Sequence, residues 1–199
     1  MRKFIVICLT VLGLTAVQAA EAPKGQYMQP NNLFPKVRLI TSAGIITVEL
    51  DRIRAPIAVN NFLSYVSIKA YDNTIFHRLE PDFVVQGGGY KQTMAQIEEF
   101  KPIFNESGNG LKNQFGSIAM ARQNDPHSAT SQFFFNLNDN TSLDPGRGWG
   151  YTVFGQIQEG FEVLEAIKTM KTHTDPVTGW QNVPKQPILL KQVVLLPEA

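Results

Sequence analysis

Short apolar segments of strand length, separated by turn residues, are the feature that most limits the fold of this chain. Residues 36–41 and 46–51 alternate apolar and polar side chains, and the short loop at 42–44 joins them as a hairpin. Six further segments have the length and the apolar or aromatic character of strands, at residues 74–79, 83–86, 117–121, 132–137, 151–157 and 188–196. The sequence therefore predicts about eight short strands.

Two segments follow a helical period instead. Apolar side chains within residues 55–69 recur at the i, i+3, i+4, i+7 spacing, Pro56 suits a first helical turn, and residues 161–170 repeat the spacing. These elements predict an all-β fold, a closed eight-stranded antiparallel barrel capped by two α-helices, because closure removes exposed strand edges. A two-layer sandwich is the alternative. The long loops at 87–112 and 138–150 are where we expect a binding site.

Residues 1–19 have the composition of a secretory signal peptide, with a positive start, an uncharged segment and small residues before a predicted cleavage after Ala19. The uncharged segment is shorter than the roughly 20 apolar residues that span a bilayer, so a retained anchor is the weaker alternative. We expect an exported chain that is free of the membrane after cleavage. In it, residues 20–35 would form a flexible arm and residues 36–199 the folded domain.

The residue sets of most catalytic sites are missing. The single cysteine, Cys8, falls in the predicted signal, and the chain has no Gly-x-Ser-x-Gly elbow and no phosphate-binding glycine loop that opens a helix. His77, His127 and His173 are too far apart for a local zinc motif, so we expect neither a cofactor nor a metal. The 18 basic and 17 acidic side chains nearly balance, which makes nucleic acid and anionic membranes poor candidate partners.

Arg78 lies in a predicted strand among apolar and aromatic residues, within the segment FHRLEPDFVVQGGG at 76–89. A guanidinium is rarely buried without a partner. The pattern therefore indicates either a functional cation or a salt bridge across the barrel, and both interpretations stay open.

A second informative segment, SQFFFN at 131–136, places Gln132 and Phe134 on one face of a strand and Phe133 and Phe135 on the other. If Phe133 and Phe135 fill the barrel, Phe134 faces an outer groove; a packed aromatic core is the alternative. Together with Arg78, these residues suggest an apolar concavity with one cation and several amides. Such a site has no obvious nucleophile but can hold a strained peptide.

Four segments resemble, in the right order, the signature blocks of the cyclophilins, the cyclosporin-binding family of peptidyl-prolyl cis-trans isomerases: FHRLEPDFVVQGGG, GSIAMAR at 116–122, ATSQFFFN at 129–136 and YTVFGQI at 151–157. The resemblance extends over nearly all of residues 36–196 and is greatest to the periplasmic type of Gram-negative bacteria. It implies an isomerase barrel with its site on the outer face. The implied partners are proline-containing, unfolded or partly folded exported polypeptides in the periplasm.

The resemblance implies that Arg78 is the catalytic residue. It also implies a substrate-binding set made of a proline pocket, two amides, a segment that binds the peptide backbone, and the edge of the site: Phe83, Val84, Phe134 and Leu143; Gln86 and Gln132; Ala121 and Arg122; His77 and Tyr151. Val84 replaces the usual methionine of the pocket. Ser142 stands where drug-sensitive members carry tryptophan, so we expect weak cyclosporin binding.

Two other functions are compatible with the sequence. The groove could bind proline-containing segments as a chaperone or adaptor, with turnover incidental. Alternatively, an exported barrel could bind sugars through aromatic residues such as Trp149, although Arg78 would have no clear use there. We expect a monomer in every case, because a closed barrel leaves no strand edge to pair.

Overall fold

Antiparallel strands close into a barrel in the computed structural model, which describes residues 25–198. The barrel strands are β1 (Lys36–Thr41), β2 (Ile45–Leu50), β3 (Thr74–Glu80), β4 (Val84–Lys91), β5 (Ser117–Met120), β6 (Phe133–Asn136), β7 (Val153–Glu159) and β10 (Ile188–Leu195). A separate two-stranded sheet contains β8 (Thr172–His173) and β9 (Val183–Pro184), and the helices are α1 (Pro56–Ser67) and α2 (Phe161–Lys168).

The strand order around the barrel is β1-β10-β3-β4-β6-β5-β7-β2, and β2 pairs back with β1. Every neighbouring pair is antiparallel, as hairpins and long returning loops allow. The predicted eight-stranded barrel with two helices is confirmed, and the sandwich alternative is wrong.

Aromatic side chains that alternate inward fill the barrel. Phe133 and Phe135 are fully buried in the main core, as the alternation along β6 predicts. Helix α1 packs Phe62 into the same core, with its ring centroid 5.5 Å from that of Phe133 and 5.4 Å from that of Phe154. Edge and tilted contacts of this kind add to the free energy gained from burying the rings.

Helix α1 depends on a long loop for its N-terminal cap. Pro56 occupies the first turn, where a backbone N–H would have no partner within the helix. The N-cap residue, Ala55, makes no side-chain capping hydrogen bond. The carboxylate of Glu106 accepts hydrogen bonds from the amides of Ile57 (3.1 Å) and Ala58 (2.9 Å) instead. Burial raises the pKa of Glu106, and these two hydrogen bonds oppose the shift. The loop that follows β4 is thereby attached to the helix.

Strand β4 is longer than the sequence predicts, and this difference matters for the site. Residues 87–91 belong to the strand rather than to a loop that starts at residue 87. Gly88 has φ +80°, and a Cβ there would lie 2.7 Å from the ring of Phe133. Glycine is therefore required because the backbone approaches a core ring in a conformation that other residues rarely adopt.

Part of the segment that we expected to be a mobile arm is packed against the domain. The amide of Gly25 donates to Ser64 Oγ on α1, and the guanidinium of Arg52 donates to the carbonyl oxygens of Met28 and Gln29. The predicted signal peptide lies outside the described residues. Within residues 25–198, no helix has the length and apolar character to cross a membrane.

Candidate functional site

A single row of paired residues crosses four neighbouring strands. Arg78 on β3 pairs with Gln86 on β4, Gln86 pairs with Phe134 on β6, and Phe134 pairs with Ala119 on β5. Directly opposed residues of antiparallel strands project to the same face of the sheet. The register therefore places the cation, an amide and an aromatic ring side by side.

An irregularity in β3 decides on which face Arg78 emerges. Phe76 pairs with Gly87 and Arg78 with Gln86, so His77 is an extra residue without its own partner. Phe76 and Leu79 both belong to the main core, although strict alternation would put them on opposite faces. The bulge at His77 resolves the conflict and turns Arg78 out of the barrel.

A small apolar cluster lies on the outer face, separate from the main core. Val84, Ala119, Phe134 and Val153 are buried in it. It opens into a cleft of about 250 Å³ whose lining includes nearly the whole predicted substrate set: Arg78, Phe83, Val84, Gln86, Ala121, Arg122, Phe134, Leu143 and Tyr151. The structure therefore supports the interpretation in which Phe134 faces an outer groove and not the barrel core. The residue is only 3% exposed, since it packs within the outer cluster.

The two predicted amides form a pair beside this cleft. Gln86 Nε2 donates to Gln132 Oε1 at 2.9 Å. A second cleft of about 500 Å³ adjoins the first, sharing Arg78 and Gln86, and it is lined further by His77, Glu80, Tyr90, Gln132, Trp180 and Asn182. Arg78 and the Gln86 amide therefore lie at the boundary of two concavities.

Arg78 has an ionic partner, but not across the barrel. Its Nη2 lies 2.5 Å from Glu80 Oε1, and the two side chains are 35% and 33% exposed. Asn182 Nδ2 also donates to Glu80 Oε1, at 3.1 Å. The ion pair lies on the wall of the cleft rather than inside the core, so the guanidinium stays at the surface that a ligand would meet.

Arg122 also lines this cleft. Its guanidinium lies 4.5 Å from the ring centroid of Tyr151 and donates to the carbonyl oxygens of Gly150 (3.2 Å) and Trp149 (2.9 Å). Ala121, just beyond the end of β5, donates its amide to Gln132 O at 2.9 Å. That amide is already used within the protein, and Ala121 lines the cleft together with Arg122.

Comparison with known proteins agrees with this geometry. Residues 36–194 match the family model described as cyclophilin type peptidyl-prolyl cis-trans isomerase/CLD. The chain belongs to the cyclophilin family. It is therefore a peptidyl-prolyl cis-trans isomerase.

Similar proteins cover most of this cyclophilin. It is 50% identical over 165 residues to peptidyl-prolyl cis-trans isomerase cyp18 of Streptomyces antibioticus, which covers 80% of this chain and 98% of the relative. It is 42% identical over 196 residues to peptidyl-prolyl cis-trans isomerase A of Dickeya dadantii, which covers 98% of both chains. A cyclophilin-type isomerase of Cryptosporidium parvum has a crystal structure that superposes with a TM-score of 0.68 at 27% identity, covering 83% of this chain and 99% of that one.

His77 lines the second cleft beside Arg78, although most of its side chain is buried. It is buried, its ring contacts Tyr90 and Trp180 at centroid distances of 4.8 and 5.8 Å, and its Nδ1 has no hydrogen-bond partner. Burial, and secondarily the charge of Arg78, lower the pKa of His77 to about 4. The imidazole is therefore neutral at pH 7.

Sequence reasoning missed several residues that line the second cleft of this cyclophilin, including Glu80 and Trp180. Glu80 is in the quoted signature segment, two positions after Arg78 on β3, so alternation along the strand could have placed both side chains on one face. Trp180 lies between β8 and β9, strands of two residues each that are too short to predict. No cluster of three His, Cys, Asp or Glu side chains that could hold a metal occurs among residues 25–198.

Proposed function

We propose that this cyclophilin accelerates rotation about X-Pro bonds through Arg78, with Phe83, Phe134 and Leu143 holding the proline ring. The observation that carries the proposal is the register that aligns Arg78, Gln86 and Phe134 along one outer cleft. A cation at the rim of an apolar pocket suits a proline residue, whose apolar ring is attached to an amide nitrogen.

The reaction needs no bond to break. Resonance gives the peptide C–N bond its double-bond character and a rotation barrier of about 18 to 20 kcal/mol. At 90° of rotation the prolyl nitrogen becomes pyramidal and recovers its lone pair, so it becomes a much better hydrogen-bond acceptor. Arg78 would donate to this nitrogen in the twisted state far more strongly than in the planar one, and only such differential binding raises the rate.

The remaining side chains hold the two ends of the substrate. The Gln86–Gln132 amide pair and the backbone at Arg122 would fix the chain on one side of the bond, while the apolar pocket holds the ring. Rotation then takes place in a positioned substrate, which lowers the entropy cost of reaching the twisted geometry.

An arginine substitution tests the assignment. Arg78→Ala should lower kcat/KM for an Ala-Pro peptide by at least about a hundredfold, since one well-placed donor is worth roughly 2.7–4 kcal/mol. Arg38→Ala, which removes an exposed arginine from β1 on another part of the barrel, is the matched control and should keep full activity. Near-complete activity of Arg78→Ala, with an unchanged circular dichroism spectrum, would refute the mechanism.

We further propose that the protein acts as a monomer on exported proteins in the periplasm. The signal-like composition of residues 1–19 supports this location. Cell fractionation and N-terminal sequencing of the mature chain would test it, since cleavage after Ala19 should leave a chain that begins at residue 20. A cellular role as a chaperone, rather than as an isomerase, would survive the Arg78→Ala substitution.

A further inference from the structure

Three aromatic rings form an exposed cluster outside the proline cleft, which we call the aromatic platform: Phe104, His127 and Trp149. Phe104 is 54% exposed and Trp149 is 47% exposed. Phe104 stacks on His127 with 4.4 Å between ring centroids, and Trp149 meets both rings edge-on at 5.6 and 5.0 Å. Large rings that contact one another and also face solvent form a candidate binding surface.

One buried side chain holds the three loops of the platform together. Asn105 is 4% exposed, and its Nδ2 donates to Pro126 O at 3.1 Å and to Gly150 O at 3.0 Å. Its backbone amide donates to His127 Nδ1 at 3.1 Å. The hydrogen bonds reach the residues next to His127 and Trp149, so the rings are held in place before any ligand arrives. Preorganised surfaces lose less conformational entropy on binding.

The platform is continuous with the proline cleft. Arg122 lines that cleft and donates through Nη2 to the carbonyl oxygen of Trp149, and its guanidinium covers Tyr151, another cleft residue. A polypeptide that leaves the cleft past Arg122 therefore meets the rings within a few residues, at about 3.3 Å of extended chain per residue.

We propose that the aromatic platform is an additional subsite that binds a large apolar or aromatic side chain of the client polypeptide, a few residues from the X-Pro bond. This inference rests on the proposed function of the cleft. Exposed aromatic and apolar side chains are what distinguish an unfolded client from a folded surface, and an edge or stacked ring contact would add selectivity for them.

A peptide series tests the proposal on the full mature protein. Each peptide has the same Ala-Pro centre among alanine, glycine and serine residues, and one phenylalanine is moved through the flanking positions on both sides. We expect kcat/KM to rise about three- to tenfold when phenylalanine occupies one favoured position. Trp149→Ala and Phe104→Ala should each reduce this preference to less than about twofold. The matched control Phe34→Ala, which removes an aromatic side chain that is 45% exposed elsewhere, should keep it.

A direct readout accompanies the kinetics. The indole N–H resonance of Trp149 should shift more with the favoured phenylalanine peptide than with the all-alanine peptide, while that of Trp180, beside Arg78, should respond equally to both. No positional preference in the wild type, or a preference that survives Trp149→Ala, would overturn the proposal. A change of oligomeric state in Trp149→Ala with peptide preference intact would assign the platform to a contact between two copies instead, and would also overturn it. Turnover of the all-alanine peptide by the wild type tests the cleft separately.

Discussion

Removing the carboxylate of Glu80 is the perturbation whose effect the structure defines best. Arg78 Nη2 lies 2.5 Å from Glu80 Oε1, and Asn182 donates to the same oxygen. Asn182 is itself held to β3, because its carbonyl oxygen accepts the amide of Leu79 at 2.8 Å. We therefore expect Glu80 to act as a positioning residue that restricts the guanidinium.

The expected loss of kcat in Glu80→Ala follows from the exposure of the ion pair and from the rotamer entropy of the arginine side chain. Both side chains are about one-third exposed, so the ion pair is screened and contributes only about 0.2–1 kcal/mol to folding. An arginine side chain has about 2 kcal/mol of rotamer entropy, part of which Glu80 removes before substrate binds. If half of that is restored in Glu80→Ala, kcat should fall about fivefold. KM should change less than twofold, because the pocket for the ring is intact.

NMR exchange spectroscopy on an Ala-Pro peptide measures both kinetic constants. Glu80→Gln retains an oxygen acceptor for Arg78 and should lose only about twofold in kcat. Glu165→Ala is the control, since it removes an exposed glutamate of α2 that lies 3.7 Å from Lys168 and lines neither cleft. If the kcat of Glu80→Ala equals or exceeds that of the wild type, the ion pair does not position the guanidinium for catalysis. That result would refute the role assigned to Glu80.

Two further predictions concern pH and drug binding. Because burial lowers the pKa of His77 to about 4, the unfolded chain binds the proton more readily, so stability should fall as the pH drops from about 6.5 to about 4, by up to roughly 3 kcal/mol. Urea unfolding at both ends of this window should show a smaller loss for His77→Phe, and an equal loss in both proteins would contradict the assignment. Ser142 is exposed on a short turn beside Leu143 and offers no ring, so cyclosporin should bind with a Kd above about 1 μM, and Ser142→Trp should tighten it up to about tenfold. A submicromolar Kd for the wild type by fluorescence titration would count against this expectation.

Most of the barrel could be predicted because its signals are local. Alternation along β6 separates Phe134 from Phe133 and Phe135, and that separation alone places one ring outside the core. The helical period of α1 and the signature blocks are equally visible in the chain. The glycine run at residues 87–89 was harder to interpret, because the close approach at Gly88 is to the ring of Phe133, which is distant in sequence.

The sequence by itself determined which residues alternate, which segments form strands and helices, and which family the chain resembles. Only the tertiary structure decided that the bulge at His77 turns Arg78 outward and that the loops of Phe104 and Trp149 meet. The physical reason is that periodicity is a property of neighbouring residues. Register shifts and contacts between loops are set by the closure of the whole barrel.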